Sequence, residues 1–150
     1  MTLKQKILDD MKLAMKEGNA LKRDTLRMLD SMIKNVEIEK MKKEEGLSDE
    51  EAIEVVGRAV KQRRDSVAQY ESGGRPELAE KENNEIEILI GYMPEQLSEE
   101  KVREVVKEVI ATAGATSKAE MGKVMGMAMG KLKGQIDGNV VKKIVEEELQ

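Results

Sequence analysis

Ser117 to Glu148 read SKAEMGKVMGMAMGKLKGQIDGNVVKKIVEEE, with glycine at 122, 126, 130, 134 and 138, one every fourth residue. A glycine inside a helix costs about 1 kcal/mol relative to alanine. Gly122, Gly126 and Gly130 fall within a run whose other residues are strong helix formers, so they weaken that helix by roughly 3 kcal/mol together. Positions four apart lie nearly above one another on a helix. The three glycines therefore form a bare row that another backbone can approach closely. Two readings follow: tight packing against a neighbouring helix, or close approach of an external polyanion backbone. Between Lys118 and Lys143 the segment holds Lys118, Lys123, Lys131, Lys133, Lys142 and Lys143 against Glu120 and Asp137. Six minus two gives a local charge of +4, in a chain whose net charge is −4.

Outward from that stretch, composition sets the class. The 150 residues suit one domain or two small ones. Phe, Trp, His and Cys are absent and the two aromatics are Tyr70 and Tyr92. The core must then be Leu, Ile, Val, Ala and Met, and eleven methionines make it adaptable. Abundant Lys, Glu, Met and Ala with few β-branched runs predict an all-α protein. Without Cys there is no disulfide and no thiolate; without His the usual general base and the commonest metal ligand are missing. No phosphate loop, nucleotide fingerprint, Ser-His-Asp set or zinc spacing is present. Glu82 and Glu85 have the i, i+3 spacing of a metal pair, but a solvated face is the expected role. No catalytic residue, metal or cofactor is expected. No apolar run approaches membrane length, and no signal peptide is visible, so the expected location is cytoplasmic.

In chain order, Thr2 is placed to cap a helix to about Glu17 with Leu3, Ile7, Leu8, Met11, Ala14 and Met15 inward. A second helix is expected from Ala20 to Glu44, burying Leu26, Leu29, Ile33, Val36 and Met41. Ser48 and Glu51 form a capping box for a third, with Ile53, Val56, Val60, Val67 and Tyr70 inward and Lys61, Arg63 and Arg64 on a solvated or salt-bridged face. Pro76 suits the first turn of a fourth. Gly91-Tyr92-Met93-Pro94 marks a boundary, because Pro94 disfavours helix at Met93. The expected organisation is an N-terminal four-helix domain, 1–91, then a compact three-helix domain, 92–150. In the second, Ser98 opens a fifth helix, and Ser117 with Glu120 forms a capping box for the glycine-bearing sixth. Met121, Met125, Ala128 and Leu132 make the sixth helix's core side. Asp137 caps a seventh, which buries Val140, Val141, Ile144, Val145 and Leu149.

Several stretches carry a family likeness: TLRMLDSMIKNVEIEK (Thr25 to Lys40), VKQRRDSVAQYESGGRPELAEKENNEIEIL (Val60 to Leu89), YMPEQLSEE (Tyr92 to Glu100) and MGKVMGMAMGKLKGQIDGNVVKKIV (Met121 to Val145). Through them the sequence resembles the YqeY family over nearly its whole length. The Gly134-Gln135-Ile136-Asp137-Gly138 turn is the most specific piece. Gly130 departs from the family, where a proline or another residue is expected in many members. The C-terminal part of the family is similar to the tail domain (the GatB/YqeY domain) of the B subunit of the tRNA-dependent Asp/Glu amidotransferase. The resemblance implies an all-α, two-domain accessory protein linked to transamidation of charged tRNA. A label of carbon–nitrogen ligase with glutamine as amido donor would be inherited from the shared domain, since the catalytic domains of that enzyme have no counterpart here.

The implied partner is tRNA or another folded RNA, held by Lys123, Lys131, Lys133, Lys142 and Lys143, with Gly122, Gly134 and Gly138 admitting the phosphate backbone. The shortage of aromatics argues against stacking on single strands and for shape reading. Neither DNA nor membrane is an expected partner. The alternative is a protein–protein adaptor, docking an amidotransferase or translation-related protein on Met121, Met125, Met127 and Met129. Met127 discriminates, because it lies off the predicted core face.

Overall fold

A computed structural model describes residues 1–132 and 134–149. The described residues form α-helices and turns with no strand: α1 (Leu3–Glu17), α2 (Ala20–Glu39), α3 (Asp49–Ser72), α4 (Pro76–Ile90), α5 (Glu99–Ala113), α6 (Met121–Leu132) and α7 (Gly138–Glu148). The protein is all-α. The chain divides into two compact units, Met1–Met93 and Pro94–Gln150.

Local chemistry sets most helix ends. The Thr2 hydroxyl accepts the Gln5 N–H while the Gln5 side chain accepts the Thr2 N–H, closing a capping box on α1. Ser48 and Glu51 do the same for α3. Ser98 accepts from the Lys101 N–H, and Asp137 from the Asn139 N–H. Pro76 occupies the first turn of α4. At the end of α1, Gly18 takes φ +73°, a left-handed turn that glycine adopts without steric cost.

Within the first unit α1 packs on α2, and α3 on α4, with α2 against both α3 and α4. Its core is Ile7, Leu26, Leu29, Ile33, Val55, Val56, Ala59, Ile86 and Leu89 with their neighbours. Tyr92, expected in the second domain, is buried in this core and donates to Asp10 at 2.6 Å. Met15, expected inward, is 53% exposed. Arg63 is buried rather than solvated, and pairs with Glu85 at 3.0 Å.

The largest departure lies at the end of α2, which stops at Glu39 rather than Glu44. Glu51, fixed by its capping box, takes Lys40 at 2.9 Å and Lys42 at 2.8 Å. The backbone itself closes the helix: the Lys42 N–H donates to the Glu37 carbonyl at 2.7 Å and the Met41 N–H to the Ile38 carbonyl at 3.1 Å, the pattern of a left-handed C-terminal cap. Met41, expected in the core, instead takes φ +57° and is 91% exposed. A left-handed backbone costs a non-glycine residue about 1 kcal/mol.

In the second unit α5, α6 and α7 pack pairwise around a core of Val102, Val106, Val109, Val124, Ala128, Leu132, Val141, Ile144, Val145 and Leu149. The sixth helix starts later than expected. Ser117 makes no side-chain cap; Lys118–Glu120 is a 3₁₀ turn, and the Glu120 carboxylate takes the Thr116 N–H at 2.7 Å. The start at Met121 goes with a core face of Val124, Ala128 and Leu132, while Met121 and Met125 are only half-buried.

Candidate functional site

The glycine row belongs to α6. With Val124, Ala128 and Leu132 against the core, a period of 3.6 residues puts Gly122, Gly126 and Gly130 on the opposite side. All three are exposed. A methyl group placed on any of them would meet no atom within 4 Å beyond the helix's own backbone. Tight packing within the chain therefore does not account for the row, and that reading is corrected. The helix carries three destabilising residues on a bare outer surface.

The other two glycines act differently. Gly134 turns the chain at φ +77°, and its carbonyl accepts from the Gln96 side chain at 2.7 Å. The Leu97 N–H donates to the Gln135 carbonyl at 2.9 Å, so residues 96 and 97 latch this turn. At Gly138 an added methyl would lie 3.6 Å from the Met129 Cε, which makes it a packing position at the start of α7.

The lysines fall on two neighbouring helices. Lys123 is exposed on α6 beside the glycine row. Lys131 is exposed at the end of α6 and lies 3.7 Å from Glu108 of α5, a surface pair worth little. Lys142 and Lys143 are exposed on α7, four residues before Glu146 and Glu147. Lys133 lies outside the described residues. Glu147 and Glu148 both bind Arg103 of α5 at 2.6 Å, and this holds the Glu147 carboxyl below its ordinary range. The methionines do not form a free surface: Met121, Met125, Met127 and Met129 are all half-buried against the core. Met127, the discriminating position, is thus engaged.

The first unit holds buried polar groups that sequence reasoning missed. Glu37 accepts Lys4 Nζ at 2.7 and 2.9 Å. Asp30 pairs with Lys34 at 2.8 Å. The Arg63 guanidinium also donates to the Ala59 carbonyl, and stands 3.0 Å from the Met28 sulfur. Glu85 is committed to Arg63, and burial, then the nearby Glu85 carboxylate, push the Glu82 carboxyl up. This is an internal ion-pair arrangement. The only sequence signal was polar residues at core-phase positions on α2 and α3. Among the described residues no group of three acidic side chains is placed to hold a metal, and no helix is long and apolar enough to cross a membrane.

The described residues are thus all-α, with a row of outward glycines on α6 and exposed lysines on α6 and α7. The family model described as Yqey-like protein matches residues 4–149, and the chain belongs to this family. Curated relatives are named altered inheritance of mitochondria protein 41, mitochondrial. The Kluyveromyces lactis protein is 39% identical over 83 residues, 55% of this chain and 44% of the relative. The Candida glabrata protein is 37% identical over 87 residues, 57% of this chain and 47% of the relative. The Lachancea thermotolerans protein is 36% identical over 85 residues, 56% and 44%. The match spans less than half the length of these relatives.

Proposed function

We propose that the chain is a non-catalytic accessory protein whose C-terminal three-helix domain binds tRNA or another folded RNA through its phosphate backbone. The observation that carries this reading is the exposed glycine row. Roughly 3 kcal/mol of helix stability is given up where no side chain of the chain gains contact. An external backbone that needs close approach supplies a physical reason. Lys123 stands at the row, and Lys131, Lys142 and Lys143 supply further cations on the same two helices. On this reading the RNA is tRNA and any ligase chemistry belongs to a partner protein; the resemblance of the C-terminal part to the amidotransferase tail supports that choice. The relatives are named as mitochondrial proteins; cytosol and mitochondria both contain tRNA, so the reading holds in either compartment.

Attraction has to be local. From Pro94 to Gln150 there are nine Lys and Arg against ten Asp and Glu, a balance of −1. Binding is therefore weak at long range and steeply salt-dependent, with a slope that counts neutralised phosphates. The test titrates the whole chain with bulk tRNA from about 50 to 200 mM salt, beside duplex DNA. Binding to tRNA should exceed that to DNA. Changing Lys123, Lys131 and Lys142 together to Glu should weaken it at least tenfold and flatten the salt slope. Equal binding by that variant, or none by the parent, sinks the reading.

A further inference from the structure

Arg63 is 7% exposed, and it divides its guanidinium among three acceptors of unequal strength. Nε donates to the Glu85 carboxylate, Nη1 to the Ala59 carbonyl and Nη2 to the Met28 sulfur, each at 3.0 Å. A carboxylate and a carbonyl are strong acceptors, but a thioether is a weak one. A buried cation therefore spends one of its charged N–H groups on a poor partner. Such a donor is costly to leave ill-satisfied, because burial has removed the water that would otherwise bond it. The poor partner also stands at the edge. Met28 of α2 is 36% exposed, so the contact joins a buried guanidinium on α3 to a methionine that meets solvent.

Oxidation would change that acceptor. When hydrogen peroxide meets a thioether, a sulfur lone pair attacks one peroxide oxygen, the S–O bond forms and the O–O bond breaks. The proton on the transferred oxygen passes to the departing hydroxide, which leaves as water. Sulfur gives up two electrons and the peroxide accepts them. The product, methionine sulfoxide, carries a polar oxygen, and reductases return it to the thioether. In an apolar core that oxygen is disruptive. Beside Arg63 it meets a charged donor, and hydrogen bonds to charged groups are the strong ones. Three rotatable bonds let the Met28 side chain withdraw its sulfur and put the oxygen where the sulfur stood.

We propose that Met28 is a reversible oxidation site at which the sulfoxide, held by Arg63, fastens α2 to α3 more firmly than the thioether does. Met1, Met15 and Met41 are more exposed and will also take up oxygen. What distinguishes Met28 is the buried cation against its sulfur. The half-buried Met121, Met125, Met127 and Met129 of α6 pack on an aliphatic core, where the same oxygen costs stability. The response to peroxide thus depends on where the oxygen lands, tightening the fold at Met28 and loosening it on α6.

The test uses the whole chain carrying Met15→Leu and Met41→Leu, treated with dilute hydrogen peroxide, its singly oxidised species separated and mapped by peptide mass. The species oxidised at Met28 should melt about 2 °C above its reduced form, and methionine sulfoxide reductases should reverse the gain. With Arg63→Met and Glu85→Leu added, no guanidinium faces the sulfur, and the same oxidation should lower the melting temperature. A second comparison needs neither peroxide nor a change at Arg63. The amide oxygen of Met28→Gln stands in for the sulfoxide oxygen, so this variant should melt above Met28→Leu. Four results would each overturn the proposal: a Met28 sulfoxide that lowers the melting temperature with Arg63 in place, a shift of the same sign with and without Arg63, no oxidation at Met28 under conditions that oxidise the α6 methionines, or a Met28→Gln variant that melts below Met28→Leu.

Discussion

In the first unit Thr25, Asp30, Glu37 and Arg63 are buried among the helices, whereas every buried residue described in the second unit is apolar. Beside its own aliphatic core the first unit carries directional ion pairs between helices: α1 to α2 through Lys4 and Glu37, and α3 to α4 through Arg63 and Glu85. In the second unit the buried residues described are an aliphatic core alone, with Arg103 and its two glutamates on the outside. An aliphatic core asks nothing of the polar residues, so the outer face of α6 is free to carry glycines and lysines that folding does not need. The difference separates polar residues that hold the fold from polar residues that the fold does not use.

The contrast breaks first at Arg63. Changing Arg63 to Ala strands the partly buried Glu85 carboxylate and should cost about 3–5 kcal/mol in chemical denaturation. Adding Glu85→Leu to an Arg63→Met change should recover most of that loss. If Arg63→Ala costs less than 1 kcal/mol, the first unit is not held by its ion pairs.

A slightly smaller change of opposite sign is expected on α6. Gly122, Gly126 and Gly130 changed together to Ala should raise stability by up to about 3 kcal/mol, because the space is open and helix propensity improves. The same triple change should weaken tRNA binding if the glycines admit a backbone. A gain in stability with no loss of binding would leave the lysines as the only basis for the RNA reading.

A third change sharpens the account of the first unit's buried polar atoms. The Thr25 hydroxyl oxygen is buried and has no hydrogen-bond partner. Thr25→Val should therefore be neutral or stabilising by about 1 kcal/mol, whereas an equal loss would show that the hydroxyl is engaged.

The smallest effect depends on pH. Lys42, then the Ser48 N–H and Lys40, hold the Glu51 carboxyl far below its ordinary value of 4.5. A carboxyl lowered on folding contributes stability that is complete above the unfolded value and fades as acid protonates the folded form. The melting-temperature gap between the parent and Glu51→Gln should be constant from pH 7 to about 5.5 and narrow toward pH 3. A gap that does not change would show that Glu51 acts only as a cap.

The sequence by itself determined the helical class and most helix starts. Periodicity and caps such as Thr2, Ser48, Ser98 and Asp137 act within four residues, so the local chain contains both partners. Other features rest on distant partners. The sequence placed Met41 in the core because the apolar spacing continues past Glu39; the left-handed turn at Met41 closes the helix first, and Lys40 and Lys42 then reach Glu51 of α3. Arg63 reads as surface until α4 brings Glu85 to it. The glycine row was visible at once, but not its direction. Only the packing of α5 and α7 against Val124, Ala128 and Leu132 turned Gly122, Gly126 and Gly130 to solvent, because which face a helix buries is settled by its neighbours rather than by the face itself.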